Sequence, residues 1–435
     1  MSSLSIRWMW RVAAIVVMVS VVACTAVPTP TAVPVATPTA VPTSVPTATL
    51  EPTPTATLEP TKEPTLTPFV FGMILVGPQN DHGWSQANYE AGQYLENTLG
   101  AKMIVIDKVN TADRPGTTVD QVAADMIAQG AKLIFATSDD MKDGILLAAE
   151  QNPDIPMIWT SGDSAWADGK SFKPELKNLG NVMGRMEYGK MMAGCAAALT
   201  SKTGSIGYLG PLINDETRRL ASSAYLGAKY CWTTYRGLDS ADLKFTVTWI
   251  GFWFNIPGVT LDPTLVVNSF FDDGVDVVIS GIDTTETIVV AGQRAEKGEA
   301  VWAVPYDFDG ACASAPKACL GVPYFNWGPA YRKIVETVQD GTFKATWEWN
   351  GPNWESLNDK ETTAIGFTNG EALSAESIAY LDTFIVGLGN SSIDLFIGPI
   401  NFQDGSVFLK EGEKATDLQV WYLPQLLEVM VGASQ

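Results

Sequence analysis

Beyond Phe69 the chain alternates two kinds of apolar segment, and this alternation restricts the fold more than any other feature of the sequence. Longer segments place apolar residues at helical spacing: Gln86–Leu99, Val119–Gln129, Ile145–Gln151 and Met186–Leu199. Short, nearly continuous apolar runs have the length of strands: Met73–Val76, Met103–Ile106, Leu133–Ala136, Met157–Trp159, Ser205–Leu209, Phe245–Ile250, Val275–Ile279 and Ala300–Val304. Strands that alternate with helices are typical of βαβ units and of parallel sheets covered on both faces. The sequence therefore predicts an α/β protein.

Two stretches indicate that the same unit is used once in each half of this region. MIAQGAKLIFATS (126–138) and SFFDDGVDVVISG (269–281) share a helix end, a glycine turn and a strand. We therefore expect two doubly wound, Rossmann-like lobes joined by a hinge of several strands, with a boundary near Gly180–Arg185. The expected N-terminal lobe comprises 69–184 with part of 308–345, and the C-terminal lobe comprises 185–306 with part of 346–435.

The first 68 residues are predicted to be a targeting signal and a tether. Arg7 and Arg11 precede a short apolar run that ends in Val21-Val22-Ala23-Cys24, which resembles the lipobox of bacterial lipoproteins. That resemblance implies a signal peptide over 1–24 and a lipid on Cys24; the alternative is a simple cleaved signal with a chance cysteine. Residues 25–68 are rich in proline and threonine and repeat TATLEPT, so we expect a disordered, extended linker.

Charge and composition exclude several classes of protein. The 435 residues contain 28 Lys and Arg against 48 Asp and Glu, a formal net charge of −20, so nucleic acid is not an expected partner. His82 is the only histidine and no CxxC pair occurs, which excludes a multi-histidine metal site and a zinc ribbon. No metal and no cofactor are expected.

Polar and aromatic residues follow the predicted strands, where ligands bind to open parallel sheets. The loop after the first strand is GPQNDHGW (77–84), and Ser138 and Asp139 follow the third strand. In the second half, GFWF (251–254) and PYDFD (305–309) follow predicted strands. Rings for stacking and carboxylates for hydroxyl groups suit a polar, ring-bearing or sugar-like small molecule.

Four motifs give the chain a family resemblance over 70–435. They are GPQNDHGWSQANYEAG (77–92), LGNVMGRMEYGKMMAGCAAALTSKTGSIGYLG (179–210), WIGFWFN (249–255), and VPYDFDG (304–310) followed by NWGPAY (326–331). In these motifs the chain resembles the basic membrane protein family of substrate-binding lipoproteins, which have the type I periplasmic-binding-protein fold and include purine-nucleoside receptors of ABC importers. The resemblance implies these ligand-binding residues: Asn80, Asp81, Trp84, Asn88, Ser138, Asp139, Asp307 and Asn326, with Phe254 or its neighbour Trp253 as the ring that faces Trp84.

The sequence departs from the family pattern at one position. Family members that bind ribose usually carry a lysine immediately before the asparagine equivalent to Asn326. This chain has Phe325 at that position. The substitution removes a donor to the sugar and adds a ring. A purine or nucleoside-like solute and another small solute therefore both remain open as ligands.

The resemblance implies a binding protein that acts outside the cytoplasm and is held at the cell membrane by a lipid. Its expected partners are a small-molecule ligand and the permease and ATPase subunits of a transporter, and a monomer is expected. The alternatives are a surface hydrolase of nucleosides or glycosides acting through Asp81, Asp139 and Asp307, and a ligand-sensing receptor domain.

Four cysteines remain after Cys24, an even number that favours disulfides outside the cytoplasm. Cys312 and Cys319 enclose a short proline-containing loop, so we predict a bridge between them. Cys195 and Cys231 form the remaining pair, and two buried free thiols are the alternative.

Overall fold

The computed structural model describes residues 67–435. The predicted signal peptide, Cys24 and residues 25–66 of the predicted linker lie outside the described residues. Across 67–435 no helix has both the length and the apolar character that crossing a membrane requires.

The strands, in chain order, are β1 (Val70–Ile74), β2 (Lys102–Ile106), β3 (Ile134–Ala136), β4 (Met157–Thr160), β5 (Leu179–Gly184), β6 (Ser205–Gly210), β7 (Lys244–Trp249), β8 (Val277–Ser280), β9 (Trp302–Val304), β10 (Gly321–Phe325), β11 (Trp347–Asn350), β12 (Ile365–Asn369), β13 (Ile400–Asn401) and β14 (Val407–Leu409). The α-helices are α1 (Trp84–Leu99), α2 (Val119–Ala128), α3 (Lys142–Gln151), α4 (Met186–Thr200), α5 (Asp215–Thr234), α6 (Pro263–Asp272), α7 (Glu286–Glu296), α8 (Gly328–Gln339), α9 (Ala375–Gly389) and α10 (Asp417–Trp421).

Two parallel sheets form the framework of the described region. The first has six strands in the order β11-β5-β4-β3-β1-β2, and every neighbouring pair in it is parallel. The second has four parallel strands in the order β7-β6-β8-β9. Most successive strands are connected by helices and β4 is connected to β5 by a long loop, because parallel neighbours cannot be joined by a tight hairpin. The α/β fold with two doubly wound lobes, predicted from the sequence, is confirmed.

The chain passes between the two sheets three times. It leaves the first sheet after β5 and enters the second through α4 and β6. After β9 it runs through β10, which pairs with β12 in an antiparallel ribbon, and then returns to the first sheet as β11. Near its end, Val431 forms a parallel bridge to Thr246 at the edge of the second sheet. The connection is therefore a multi-strand hinge.

Helices α4 and α5 lie in close contact because two glycines leave room for the facing backbone. A Cβ built at Gly194 would lie 1.8 Å from the Ala224 carbonyl oxygen, and one at Gly227 would lie 2.0 Å from that of Met191. A disulfide joins Cys195 on α4 to another cysteine on α5, with the Cα atoms 5.2 Å apart. The two helices therefore form a covalently linked pair.

Both predicted disulfides are present. Cys195 is bonded to Cys231, and Cys312 is bonded to Cys319 in the segment between β9 and β10. The second bridge closes a short loop that also packs against α7, since a Cβ at Gly292 would lie 2.4 Å from the Ala315 side chain. The alternative of two buried free thiols is wrong.

Candidate functional site

A cavity lies between the carboxyl ends of the two sheets. Its lining comes from both lobes, from loops that follow β3, β4, β7, β8 and β9, and from the first turns of α1 and α5. The lining residues are Trp84, Ser138, Asp139, Ser161, Tyr208, Glu216, Thr217, Leu220, Trp253, Gly281, Asp283 and Tyr306. Its position is the one at which open parallel sheets bind ligands.

Trp84 reaches the cavity from the first lobe and is held rigidly. Its indole nitrogen donates to the Thr137 carbonyl oxygen at 2.5 Å. Behind it, Phe325 and Trp327 meet the indole edge-on at 5.2 Å and 5.3 Å between ring centroids, and these two rings stack on each other at 4.7 Å. Phe325, at the position of the usual family lysine, thus forms part of the wall that supports Trp84.

Trp253 reaches the same cavity from the second lobe. Its carbonyl oxygen accepts from the backbone N–H of Asp283 at 3.0 Å, which ties the loop after β7 to the loop after β8. The neighbouring Phe254 points elsewhere: its ring lies 3.9 Å from the position of a Cβ at Gly77. Of these two aromatic residues, Trp253 lines the cavity and Phe254 packs against the first lobe.

Glu216 and Thr217 reach the cavity because α5 begins beside it. Asn214 caps the helix: its side chain accepts from the Thr217 backbone N–H at 2.9 Å, and the Thr217 hydroxyl accepts from the Asn214 N–H at 3.0 Å. Such a reciprocal cap fixes the first turn of a helix. The cap therefore sets the direction of the Glu216 side chain.

Three carboxyl groups line the cavity, and burial makes each of them harder to ionise. Burial raises the pKa of Asp139 to about 6 and the pKa of Glu216 to about 7. Burial also raises the pKa of Asp283 well above its usual value, and the negative charges of Asp307 and Asp81 add to the effect. Removing an ionised group from water is costly, so such clusters occur mainly at functional sites.

A buried pair, Asp307 and Lys190, lies beneath the cavity. Asp307 has a left-handed backbone, with φ of 71°, and neither of its carboxylate oxygens has a hydrogen-bond partner among the described residues. Burial raises the pKa of Asp307 despite the nearby Lys190 ammonium. The Lys190 Nζ donates to the Ser280 carbonyl oxygen at 2.6 Å and lies 3.0 Å from the Tyr306 ring centroid. Burial lowers the pKa of Lys190.

Asp81 lies two residues before Gly83, the N-cap residue of α1, and binds the backbone at the start of this helix. Its two carboxylate oxygens accept from the backbone N–H groups of Gly83 at 2.9 Å, Ser85 at 3.0 Å and Gln86 at 2.9 Å. Three such bonds satisfy the otherwise unpaired donors at a helix start. Asp81 thereby places Trp84, and its own oxygens are already in use.

Three further predicted residues lie away from the cavity. Asn80 is exposed. Asn88 is buried, donates to the Trp84 carbonyl oxygen at 3.0 Å and accepts from the Tyr331 hydroxyl at 2.6 Å. Asn326 donates to the carbonyl oxygens of Lys360 at 2.9 Å and Thr363 at 2.7 Å. The contacts of the two buried or half-buried asparagines hold the framework.

The structure therefore brings four of the ten predicted ligand-binding residues to one cavity: Trp84, Ser138, Asp139 and Trp253. The other six lie outside its lining: Asn80, Asp81, Asn88, Phe254, Asp307 and Asn326. Sequence reasoning did not select Glu216, Asp283, Ser161 or Lys190. A signal existed for Lys190, since it is the lone lysine within α4, whose other residues are mostly small or apolar.

Comparisons with known proteins agree with this architecture. The family model Bmp, described as ABC transporter substrate-binding protein PnrA-like, matches residues 69–351. A purine-binding protein of Brucella abortus (strain 2308) is 29% identical over 352 residues, which cover 80% of this chain and 88% of that protein. A protein of Haloferax volcanii whose name describes an ABC transporter glucose-binding protein is 23% identical over 287 residues, 64% of this chain and 63% of that protein.

Solved structures share the fold. An ABC transporter solute-binding protein of Aeropyrum pernix K1 has a TM-score of 0.59 at 13% identity and covers 83% of this chain and 100% of its own. One of Conexibacter woesei has a TM-score of 0.54 at 17% identity and covers 75% of this chain and 98% of its own. With a family match over 69–351 and the expected fold, the chain belongs to the Bmp family of ABC transporter substrate-binding proteins.

Proposed function

We propose that this extracytoplasmic solute-binding protein of an ABC importer takes a flat, purine-like heteroaromatic solute into the cavity between its lobes. The single observation that carries the proposal is that Trp84 and Trp253, one from each lobe, line the same cavity. Contacts between a base and an aromatic ring contribute about 1–3 kcal/mol each in other proteins. The purine-binding relative from Brucella abortus supports the same class of ligand.

The lobes are proposed to have the bounds predicted from the sequence and to close on the solute about the three crossings. Closure would exclude water and strengthen the polar contacts around the solute. The Gly83 backbone already lies against that of Asp283 from the other lobe, since a Cβ on the glycine would be 1.7 Å from the aspartate carbonyl oxygen. That contact supports a closed arrangement in the present structure.

Binding without catalysis is the second part of the proposal. Hydrolysis through Asp81, Asp139 and Asp307 would need these carboxyl groups to reach one substrate. Asp81 binds the backbone at the start of α1 and Asp307 is buried beneath the cavity, so only Asp139 lines it. A hydrolase that uses this trio is therefore not supported by the geometry.

Calorimetric titration with purines, nucleosides and sugars tests both parts. We expect saturable binding of at least one purine-like compound, weaker or no binding of glucose, and unchanged compound after incubation when the mixture is separated by chromatography. Absence of binding across the purine compounds would overturn the choice of ligand. Steady release of free base from nucleosides would overturn the non-catalytic reading.

We also propose that Cys24 carries the lipid that holds the protein, as a monomer, at the membrane beside its permease and ATPase. The lipobox-like Val21-Val22-Ala23-Cys24 and the extracytoplasmic role of the family support the anchor. Metabolic labelling with a radioactive fatty acid should label the protein and leave Cys24→Ala unlabelled; equal labelling of both would contradict the anchor.

A further inference from the structure

The ionisable side chains that line the cavity include three carboxyl groups and no basic group. Asp139, Glu216 and Asp283 line it, and Asp81 and Asp307 lie close enough to influence the ionisation of Asp283. No lysine or arginine is among the lining residues of this cavity. Once ionised, these carboxylates would have no positively charged partner in a neutral solute after the lobes exclude water.

Two buried cations near the cavity, Arg219 and Lys190, already have acidic neighbours. Arg219 forms a buried ion pair with Glu187, and its Nη1 donates to the Trp421 carbonyl oxygen at 3.1 Å. Lys190 donates to the Ser280 carbonyl oxygen and interacts with the buried Asp307. Asp283 therefore has no cationic neighbour, and the buried cations near Glu216 already interact with other acidic groups.

Independent features show that this is a place for a ligand. Ser161 lines the cavity, is nine-tenths buried, and its hydroxyl oxygen has no hydrogen-bond partner among the described residues. Trp84, Trp253, Tyr208 and Tyr306 present aromatic rings to the same space. Aromatic rings beside carboxylates are the usual surroundings of an organic cation in proteins.

A metal ion is a less suitable source of the positive charge that would compensate the carboxyl groups of the cavity. Within residues 67–435 no group of three His, Cys, Asp or Glu residues is arranged to hold one. The aromatic lining also suits a ring better than a hydrated ion. The positive charge is therefore expected on an organic solute.

We propose that the solute is a cation: a flat heteroaromatic molecule that carries a protonated or permanently charged nitrogen, placed against Asp139, Glu216 and Asp283. The inference rests on the proposed function and specifies its ligand. It differs from a neutral purine or nucleoside in requiring the charge.

The sign of the pH dependence separates a cationic ligand from a neutral one. Burial raises the pKa of Asp139 to about 6 and of Glu216 to about 7, so both groups take up protons in the empty site as the pH falls through this range. A cation favours the ionised carboxylates, displaces those protons, and must bind more tightly as the pH rises. A neutral base that accepts hydrogen bonds from protonated carboxyl groups must bind more weakly as the pH rises.

The groups that face these carboxyls fit this behaviour. Asp139 faces Lys142, Asp163, Asp140 and Arg219. Glu216 faces Arg219, Asp139, Glu187 and Lys190, and Asp283 faces Asp307, Asp81 and Glu216. With the Arg219–Glu187 pair set aside as neutral, Glu216 keeps one acidic neighbour, Asp139, and one basic neighbour, Lys190, whereas every charged neighbour of Asp283 is acidic.

The test compares probes that differ in charge but little in shape. Titrations of the full chain use 1-methylnicotinamide, whose ring nitrogen is permanently charged, against neutral nicotinamide, at pH 5.5 and pH 8. We expect the charged member of a pair to bind at least about tenfold more tightly at pH 8, to weaken at pH 5.5, and to release protons on binding. Proton release is read from titrations in two buffers of different ionisation enthalpy.

Two variants locate the effect. Glu216→Gln should reduce the preference for the charged probe by about tenfold at pH 8, because one buried carboxylate is lost. Asp140→Asn is the matched control, since Asp140 is exposed beside Asp139 and outside the lining, and it should keep the preference. Equal loss in both variants would overturn the assignment of the charge to the cavity.

The remaining outcomes separate the two proposals. Neutral probes that bind as tightly as charged ones, or that tighten as the pH falls, would overturn the cation inference and leave the purine-like function standing. Failure of every probe and of the purine compounds to bind would overturn the proposed function itself, and the inference with it.

Discussion

At the scale of single residues, the two indoles of the cavity have different neighbours. Trp84 is buried and is braced by Phe325 and Trp327, so removing it would also disturb the wall behind it. Trp253 is only partly buried and stands on a loop. Trp253 is therefore the better position for testing ring contacts with the solute.

Trp253→Ala is expected to weaken binding of the preferred purine-like compound at least about tenfold, because one aromatic contact is lost. The melting temperature should change little, since the ring lies outside the core. Phe252→Ala, one residue earlier and also partly buried, is the control and should bind normally. Unchanged affinity of Trp253→Ala in calorimetry would remove this ring from the site.

Sequence patterns located the region of the site better than its individual residues. Ser138, Asp139 and Trp253 lie within a few residues of a strand end, where ligands bind. Trp84 belongs to the loop motif that carries the family resemblance, so the sequence indicates it as well. The sequence patterns do not indicate Glu216 as a site residue. It lies in the first turn of α5, and the apolar pattern does not show that this helix begins after the cap Asn214. Asp81 and Asn88 form hydrogen bonds with backbone groups nearby, a role that polar residues in a loop motif do not reveal in the sequence.

At the scale of elements, the contact between α4 and α5 depends on glycine. Gly227→Ala would place a methyl group about where the Met191 carbonyl oxygen lies, since the built Cβ is 2.0 Å from that backbone atom. The helices are also joined by the Cys195–Cys231 disulfide, so they cannot separate freely. We expect a loss of about 1–3 kcal/mol in the free energy of unfolding, the usual cost of overpacking.

Chemical denaturation measures this change. Lys229→Ala lies on the same helix and is exposed, so it should leave the free energy of unfolding within about 0.5 kcal/mol of the parent. A Gly227→Ala protein as stable as the Lys229→Ala protein would show that the two helices do not pack as closely as the structure indicates.

Element prediction succeeded where the apolar pattern was strong. All eight predicted strands of the two sheets correspond to β1–β4 and β6–β9, with ends displaced by a few residues. β5, LGNVMG, lacks a continuous apolar run, and β11, WEWN, alternates aromatic and polar residues. These two strands pair with each other in the first sheet. Their strand conformation depends on this tertiary pairing, which the local sequence pattern does not reveal.

At the scale of the whole molecule, the segment after the family match links both lobes. Trp421 packs edge-on against Trp347 at 5.1 Å and Trp349 at 5.0 Å, beside the first sheet. Ten residues later, Val431 bridges to Thr246 on the edge of the second sheet. This C-terminal segment thus forms a third connection that the sequence patterns did not define.

Closure depends on a close approach between the lobes at Gly83. In Gly83→Ala a methyl group would meet the Asp283 carbonyl oxygen, so the closed arrangement is blocked while each lobe keeps its core. We expect binding of the preferred purine-like compound to weaken at least about tenfold and the radius of gyration from X-ray scattering to increase. Gly351→Ala, whose Cβ would meet only the Arg185 side chain at 3.9 Å, is the control.

A Gly83→Ala protein that binds as tightly as the Gly351→Ala protein would show that the approach of the lobes at this point is not required for binding. An equal loss in both would instead indicate a general effect of adding a methyl group.

The most direct test of the account is a crystal structure of the protein with the tightest-binding compound from the titrations. We predict the compound between the lobes, with its ring in contact with Trp84 and Trp253 and a positively charged nitrogen within hydrogen-bond distance of Glu216 or Asp283. A compound bound outside the cavity, or a cavity filled by the protein's own side chains, would contradict it.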